Sequence, residues 1–154
     1  METINALFAS AVKRFPDRPA LLEPAEESGK NKGELTTLTY RELQQRVEQF
    51  AGYLQGRQIA QSDRLLLWSA SRINWVIAYL GGLLLGVVLV PLDVSSKEDF
   101  LTRVAETTEA KYLITTPKQY QSLKEPPLPL IDIDDLPGGD RAGLSAGSPT
   151  VRMR

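Results

Sequence analysis

Acidic side chains at the ends of two predicted strands are the first candidates for chemistry. They are Asp93, Asp132, Asp134 and Asp135. Carboxylates that follow the strands of an α/β sheet often face a ligand, and their oxygens suit a hard cation such as Mg²⁺. Acidic residues are more often found in solvated turns, and Pro137 and the pair Ser95–Ser96 indicate a turn after each site. We therefore expect turn residues at both sites, and we predict no catalytic, cofactor-binding or metal-binding residue in this chain.

Glycines in the middle of the chain raise the question of a phosphate-binding loop. Gly81, Gly82 and Gly86 lie inside or at the end of a helical pattern. The glycines of a dinucleotide fingerprint lie instead in the turn from a strand into a helix. The small residues of Ser145–Thr150 are not followed by the lysine of a phosphate loop. Close packing of a helix on the sheet explains the three glycines better.

The composition excludes several classes of mechanism. The 154 residues include no cysteine and no histidine, so this chain holds no disulfide, thiol nucleophile, Cys/His zinc site or imidazole base. Lys and Arg number 18 and Asp and Glu 19, a formal net charge of -1, which gives no electrostatic footprint for nucleic acid. With 42% hydrophobic and 24% charged residues, the chain has the balance of a globular domain. The lack of cysteine fits a cytoplasmic protein.

Four apolar runs alternate with helical patterns. The runs are Leu65–Trp68, Val87–Val90, Tyr112–Ile114 and Leu130–Ile133. The helical patterns are Ile73–Leu85, a helix after two overlapping caps at Ser95–Ser96, and a short helix that begins at Thr116–Pro117. Short apolar strands that alternate with helices predict an α/β fold with a Rossmann-like, mostly parallel sheet and helices on both faces. We expect Val87–Val90 to form a central strand, and Trp68 and Trp75 to lie in the core.

An N-terminal helix and a short hairpin precede this sheet. The helix covers Met1–Phe15, and its apolar face consists of Ile4, Leu7, Phe8, Ala11, Val12 and Phe15. Ala20–Leu22 and Leu35–Leu38 are predicted strands, joined by the exposed loop Glu23–Glu34. Thr39 and Glu42 fit a capping box, which predicts a helix over Tyr40–Gln55 that Gly56 closes.

The segment Ile73–Leu92 raises the question of a membrane anchor. Its twenty residues carry no charge, and that length can span a bilayer. Gly86 and Pro91 divide the segment into a helix and a strand, and amphipathic elements flank it on both sides. We therefore expect a buried helix followed by a strand and no transmembrane span, with a membrane-anchored protein as the alternative.

Five short motifs, in this order, resemble the N-terminal part of the AMP-forming acyl-CoA synthetases, the adenylate-forming ligases. They are LTYREL at Leu38–Leu43, DRLLL at Asp63–Leu67, SRINWVIA at Ser71–Ala78, GVVLVPLD at Gly86–Asp93 and AKYLIT at Ala110–Thr115. Pro16–Leu21, PDRPAL, resembles an earlier motif of the same family. Asn74 departs from the pattern, because the family often has glutamate there. The third motif looks closest to the fatty acid–CoA ligases.

The resemblance implies a two-step enzyme that adenylates a carboxylate with ATP and magnesium and then transfers it to the thiol of coenzyme A. The family's phosphate loop, a Ser/Thr/Gly-rich stretch ending in Pro-Lys-Gly, would follow Ile133 and is absent from this sequence. No catalytic residue of the family can therefore be transferred to a position here. We expect residues 1–136 to form the N-terminal α/β part of the large domain of such a ligase, and 137–154 to be a disordered tail or truncation end.

The resemblance and the missing loop together lead to expectations about activity and partners. The parent looks like a fatty acyl-CoA synthetase, and the chain alone is predicted to be inactive and to bind no cofactor. A fragment would expose apolar surface that the rest of the ligase covers, so we expect it to form a homodimer. The alternative from another class is a stand-alone binding or interaction module with a flavodoxin-like sheet.

Overall fold

The computed structural model describes residues 2–24 and 35–138. The helices of this part are α1 (Ile4–Arg14), α2 (Tyr40–Gly56), α3 (Ile73–Leu85), α4 (Glu98–Thr108) and α5 (Pro117–Gln121). Its strands are β1 (Pro19–Pro24), β2 (Leu35–Thr39), β3 (Arg64–Trp68), β4 (Val88–Leu92), β5 (Tyr112–Thr115) and β6 (Leu130–Asp132). A single 3₁₀ turn, Ile133–Asp135, follows β6.

The predicted parallel α/β sheet is confirmed. In the described part of the chain, four strands lie in the order β4-β3-β5-β6, and every neighbouring pair is parallel. Strands β1 and β2 form a separate antiparallel hairpin. The chain first moves outward from β3 to β4 and then returns past β3 to β5, so the winding direction reverses between β3 and β5.

Helices cover both faces of the sheet, as predicted. Leu65 and Leu67 of β3 point to one face, where they pack in one core cluster with α2 and α3. Leu66 and Trp68 alternate to the other face and pack with α4 and with residues around α5. Because successive residues of a strand point to opposite sides, the continuous apolar run Leu65–Trp68 serves both clusters.

Helix α2 begins as predicted but ends differently. The hydroxyl of Thr39 accepts a hydrogen bond from the Glu42 N–H (3.2 Å), and the Glu42 carboxylate accepts one from the Thr39 N–H (3.1 Å), so the capping box is confirmed. Gly56 does not close the helix from outside, because it is the last helical residue. The left-handed residue after the helix is Gln58, with φ 62°.

The segment Ile73–Leu92 divides into a helix and a strand, as expected. None of the described helices is long and apolar enough to cross a membrane. The expectation of a central strand is wrong, because β4 lies at one edge of the described sheet. Val88 is 48% exposed, whereas Leu89 is buried. An apolar run indicates that some of its residues are buried. It does not indicate whether the strand has one neighbouring strand or two.

Three further expectations differ from the structure. Ile4 and Leu7 of the predicted apolar face of α1 are about half exposed, 53% and 52%, and Val12 is the buried residue of that helix. Helix α4 begins after Lys97 with no side-chain cap, so neither Ser95 nor Ser96 caps it. Strand β1 extends to Pro24, into the predicted loop.

The remainder of the predicted loop Glu23–Glu34, from residue 25 onward, lies outside the described residues. The predicted tail 137–154 does so as well, except for Pro137 and Gly138, which form a turn.

Candidate functional site at the carboxyl edge of the sheet

The carboxyl ends of β3 and β5 form the point at which the strand order reverses. Ligands of open α/β sheets bind at such a point, in the crevice outside the carboxyl ends of the strands. Ser69 follows β3 directly, and Thr115 and Thr116 end β5 and begin the next turn. The edge between these two strands is therefore the first place to look for a site.

The hydroxyl groups at this edge are engaged with their own neighbours. Thr115 is fully buried, and its Oγ1 donates to Oε1 of Gln119 (3.0 Å). Thr116 accepts from the Gln119 N–H (3.1 Å) and so caps the short helix α5, as predicted. Ser69 donates to the carbonyl of Ala70 (3.1 Å). These hydroxyls shape the turns after the strands.

Trp68 lies in the core, as predicted, and Trp75 lies at the margin of the core. Trp68 is 5% exposed at the carboxyl end of β3, and within the described residues its Nε1 has no hydrogen-bond acceptor. Trp75 is partly buried against the α2–α3 cluster and stacks on Tyr79, with ring centroids 5.3 Å apart and planes 5° apart.

Asp93 is a turn residue, as expected. Its Oδ1 accepts hydrogen bonds from the Ser95 hydroxyl (2.6 Å) and the Ser95 N–H (2.7 Å). These two bonds stabilise the ionised form and hold the pKa of the Asp93 carboxyl below its ordinary value. The residue closes the turn between β4 and α4.

The acidic cluster after β6 also serves a turn. Oδ1 of Asp132 accepts from the Asp134 N–H (2.8 Å) and so caps the 3₁₀ turn Ile133–Asp135. Asp134 forms an ion pair with Arg72. Among residues 2–24 and 35–138, no group of three or more acidic side chains is placed to hold a metal ion. The turn interpretation therefore accounts for this cluster.

Three side chains that the sequence did not indicate as site residues converge on the turn after β6. Nδ2 of Asn74 donates to the carbonyl of Ile133 (2.8 Å), and Oδ1 of Asn74 accepts from Arg46 (3.3 Å). Nε of Arg46 also donates to the carbonyl of Pro137 (3.3 Å). With the pair between Arg72 and Asp134, these contacts join α2 and the start of α3 to the turn. We call Arg46, Arg72 and Asn74 the exit clamp.

The glycines of α3 allow close packing and do not cradle a ligand. A Cβ at Gly81 would lie 2.7 Å from Cδ1 of Phe50, and one at Gly82 would lie 2.1 Å from Cδ2 of Leu89. Gly81 thus brings α3 against α2, and Gly82 brings it against β4. Gly86 ends the helix in the left-handed conformation, with φ 79°, which favours glycine. The packing interpretation is confirmed.

The polar groups at this edge of the described sheet make contacts within the chain. The carboxylates of Asp93, Asp132 and Asp134 are committed to turn contacts, and α5 at the reversal point is only five residues long. The edge offers a fixed framework of strand ends on which a site can be completed. The prediction that this chain contributes no catalytic, cofactor-binding or metal-binding residue stays a prediction.

Comparison with known proteins identifies the class of protein to which this framework belongs. Residues 8–144 match the family described as AMP-binding enzyme. The match covers most of the chain and all of the described sheet, so the chain belongs to the AMP-binding enzyme family of adenylate-forming ligases.

Curated relatives include ligases with different acceptors. The L-proline–[L-prolyl-carrier protein] ligase of Pseudomonas fluorescens is 25% identical over 123 residues, 80% of this chain and 23% of that protein. The long-chain-fatty-acid–CoA ligase of Haemophilus influenzae is 34% identical over 93 residues, 60% of this chain and 15% of that protein. The chain therefore spans less than a quarter of the length of these two relatives.

Solved structures support the same fold. The N-terminal subdomain of NpsA from Klebsiella oxytoca matches with a TM-score of 0.72 and 22% identity, over 97% of this chain and 36% of that one. The fatty acid AMP ligase from Legionella pneumophila matches with a TM-score of 0.70 and 20% identity, over 88% of this chain and 24% of that one. At these identities the likeness shows the fold alone.

Proposed function

We propose that this chain forms the N-terminal α/β part of the large domain of an ATP-dependent, AMP-forming carboxylate–CoA ligase. The observation that carries the proposal is the family match over residues 8–144. The matched region includes the whole described four-stranded sheet, in which the winding direction reverses between β3 and β5. In this role the chain supplies framework: strand ends, buried helices and a fixed exit turn. ATP, magnesium and coenzyme A are requirements of the whole enzyme.

The test of the whole-enzyme role is the coding sequence beyond Arg154. We expect an in-frame Ser/Thr/Gly-rich stretch ending in Pro-Lys-Gly. Backbone N–H groups and a lysine must hold the triphosphate and stabilise its negative charge during the transfer. A stop codon directly after Arg154, without such a loop on a partner chain encoded nearby, would contradict the proposal.

A fatty acid is the proposed substrate of the whole enzyme. The 34% identity to the Haemophilus influenzae long-chain-fatty-acid–CoA ligase and the motif at Ser71–Ala78 support this class. A carrier-protein ligase that takes an amino acid is the second candidate, since the Pseudomonas fluorescens relative aligns over 80% of the chain. Exchange of pyrophosphate into ATP by the whole enzyme, with palmitate against L-proline, distinguishes the two.

The 154 residues alone are proposed to be inactive. The purified chain should show no carboxylate-dependent exchange of pyrophosphate into ATP above a no-acid control, because its sequence carries no phosphate loop. The same assay with a complete fatty acid–CoA ligase is the positive control. Exchange that depends on added acid would disprove this part of the proposal.

We also propose that the isolated chain is a cytoplasmic protein that forms a homodimer. Val88, Val94 and Phe100 are large apolar residues that are 48%, 47% and 42% exposed, and exposed apolar surface favours association. Size exclusion with light scattering should give about twice the 17.1 kDa of the chain. A monomer at high concentration would contradict the dimer, and recovery in the membrane fraction would contradict the location.

A further inference from the structure

We propose that the exit clamp, Arg46, Arg72 and Asn74, positions the path on which the chain leaves the carboxyl edge of the sheet. These residues lie on α2 and at the start of α3, far in sequence from the turn that they hold. The proposal rests on the proposed function in one respect, namely that this edge is where a ligase site is completed.

Asn74 is the central member, because its side-chain amide bridges two partners that need opposite groups. The guanidinium of Arg46 can only donate, so it must meet Oδ1, at 3.3 Å. The carbonyl of Ile133 can only accept, so it must meet Nδ2, at 2.8 Å. This pair of partners fixes the orientation of the amide. A carboxylate at position 74 could satisfy Arg46 but would place an oxygen against the oxygen of Ile133.

The clamp holds the backbone of the turn, and the apolar core holds its side chains. Ile133 and Leu136 are buried at 0% and 5% exposure, so they anchor the turn whether or not the clamp is present. The carbonyls of Ile133 and Pro137 accept from Asn74 and Arg46. Without these donors the Ile133–Asp134 peptide would keep only the bond from the Asp134 N–H to Asp132, and the Pro137 carbonyl would lose its bond from Arg46.

Gly138 shows how closely the exit passes over α2. It has φ 85°, and a Cβ built on it would lie 1.9 Å from Oε1 of Gln49 and 2.8 Å from Cδ of Arg46. The backbone at Gly138 therefore rests directly on the same turn of α2 that supplies Arg46. The clamp and this close approach together hold residues 133–138 against α2.

The test is hydrogen exchange of the 154-residue chain at the backbone amides of residues 133–136 and 138, since Pro137 has no N–H. Asn74→Asp removes the donor to Ile133 and keeps an acceptor for Arg46. We expect exchange in this segment to become about tenfold faster, because a lost hydrogen bond lowers the cost of local opening. The slowest amides of β3 and β5 should be unchanged, since the core is not altered. Asn74→Gln keeps both groups, and we expect its exchange to lie between those of the wild type and Asn74→Asp.

Asn5→Asp is the matched control. Nδ2 of Asn5 also donates to a backbone carbonyl, that of Leu83 at 3.1 Å, so the same chemical change removes a similar bond elsewhere. It should leave residues 133–138 unchanged. The proposal is overturned if Asn74→Asp exchanges like the wild type there, if Asn5→Asp accelerates the same segment equally, or if every amide of the chain accelerates together. Hydrogen exchange does not depend on enzyme activity. The exit-clamp proposal can therefore be overturned while the ligase assignment stands.

Discussion

The two faces of the sheet are covered to different extents. On the α3 face, α2 and α3 pack side by side over Leu65 and Leu67, and Gly81 lets the two helices approach closely. On the α4 face, α4 and α5 cover Leu66 and Trp68, and Val90 and Leu92 of the edge strand pack against the same cluster, but Val88 is left uncovered. Leu89 of β4 points to the α3 face and is 9% exposed, while Val88 points to the α4 face and is 48% exposed.

This difference shows that small residues, and not only large ones, determine how well a face is covered. Both faces receive similar apolar side chains from β3, because the run Leu65–Trp68 alternates between them. The α3 face is covered more closely because α3 has glycines at its contacts. Gly81 lets α3 approach α2, and Gly82 lets α3 approach β4. The following predictions test this comparison, from the largest expected effect to the smallest.

Truncation of a buried side chain should cost more on the α3 face than on the α4 face. Phe50→Ala should lower the free energy of unfolding by about 4 kcal/mol, since Phe50 is fully buried and rigidly enclosed. Leu101→Ala, on α4, should cost about 2–3 kcal/mol, because α4 has an open outer side and can settle into the space. Urea denaturation monitored by tryptophan fluorescence measures both. Because leucine loses less buried surface than phenylalanine on truncation, a loss for Leu101→Ala that equals or exceeds that of Phe50→Ala would contradict the comparison.

Adding one methyl group should have opposite signs at two helical glycines. Gly81→Ala should destabilise the chain by about 1–3 kcal/mol, because its Cβ meets Phe50 at 2.7 Å and the Val47 carbonyl at 3.1 Å. Gly56→Ala should stabilise it by up to about 1 kcal/mol, because nothing lies within 4 Å of that Cβ and alanine favours a helix. Thermal unfolding gives both signs, and a stabilising Gly81→Ala would contradict the close packing of α2 and α3.

Glu98 should make the attachment of α4 depend on pH. Its carboxylate accepts from the N–H groups of Glu125 (3.0 Å) and Lys124 (2.8 Å), which hold its pKa below the ordinary 4.5. A lowered pKa means that this stabilisation is complete above the unfolded-state pKa and is lost as pH falls through the folded-state pKa. Glu98→Gln should therefore flatten the fall in the free energy of unfolding below about pH 4.5. An unchanged slope would exclude Glu98 as a source of acid sensitivity.

The smallest effect is expected at the exposed edge. Val88→Asp should change the free energy of unfolding of the dissociated chain by less than about 1 kcal/mol, because the new carboxylate stays in water when no second copy covers it. Leu66→Asp, on the same face but in the fully buried part of β3, should prevent folding, since an unpaired charge would be buried. Circular dichroism and urea denaturation of the two variants check this. If the Val88→Asp chain failed to fold, residue 88 would have to be buried, which would contradict the position of β4 at an exposed edge.

Much of the fold was predictable from the sequence because it depends on local pattern. The capping box at Thr39, the cap at Thr116 and the alternation of strands and helices follow from residues within a few positions of one another. Strand order does not, and Val88 shows this: its β-branched neighbours indicate a strand but not whether the strand has one partner or two. The start of α4 was mispredicted for a similar reason, since Glu98 binds a loop 26 residues away.

The candidate site was less predictable, because its contacts join distant parts of the chain. Asn74 was visible only as a departure from a family motif, and no neighbouring residue in the sequence explains an amide there. The structure supplies a reason, because Arg46 requires an acceptor and the Ile133 carbonyl requires a donor on the same side chain. The acidic residues after β6 were candidates for cation binding because they carry carboxylates. In the structure, Asp132 caps the turn and Asp134 pairs with Arg72.

The division of Ile73–Leu92 into α3 and β4 has a consequence for biosynthesis. While the chain is being made, these twenty uncharged residues have the length of a bilayer span, and only tertiary contacts distinguish them from one. Strand β3 lies just before α3 and pairs with β4 in parallel, and parallel pairing across a helical crossover forms slowly. The cluster that buries the segment also includes Ile114 of β5 and Ile131 of β6. Part of the segment therefore stays uncovered until β5 and β6 have been synthesised.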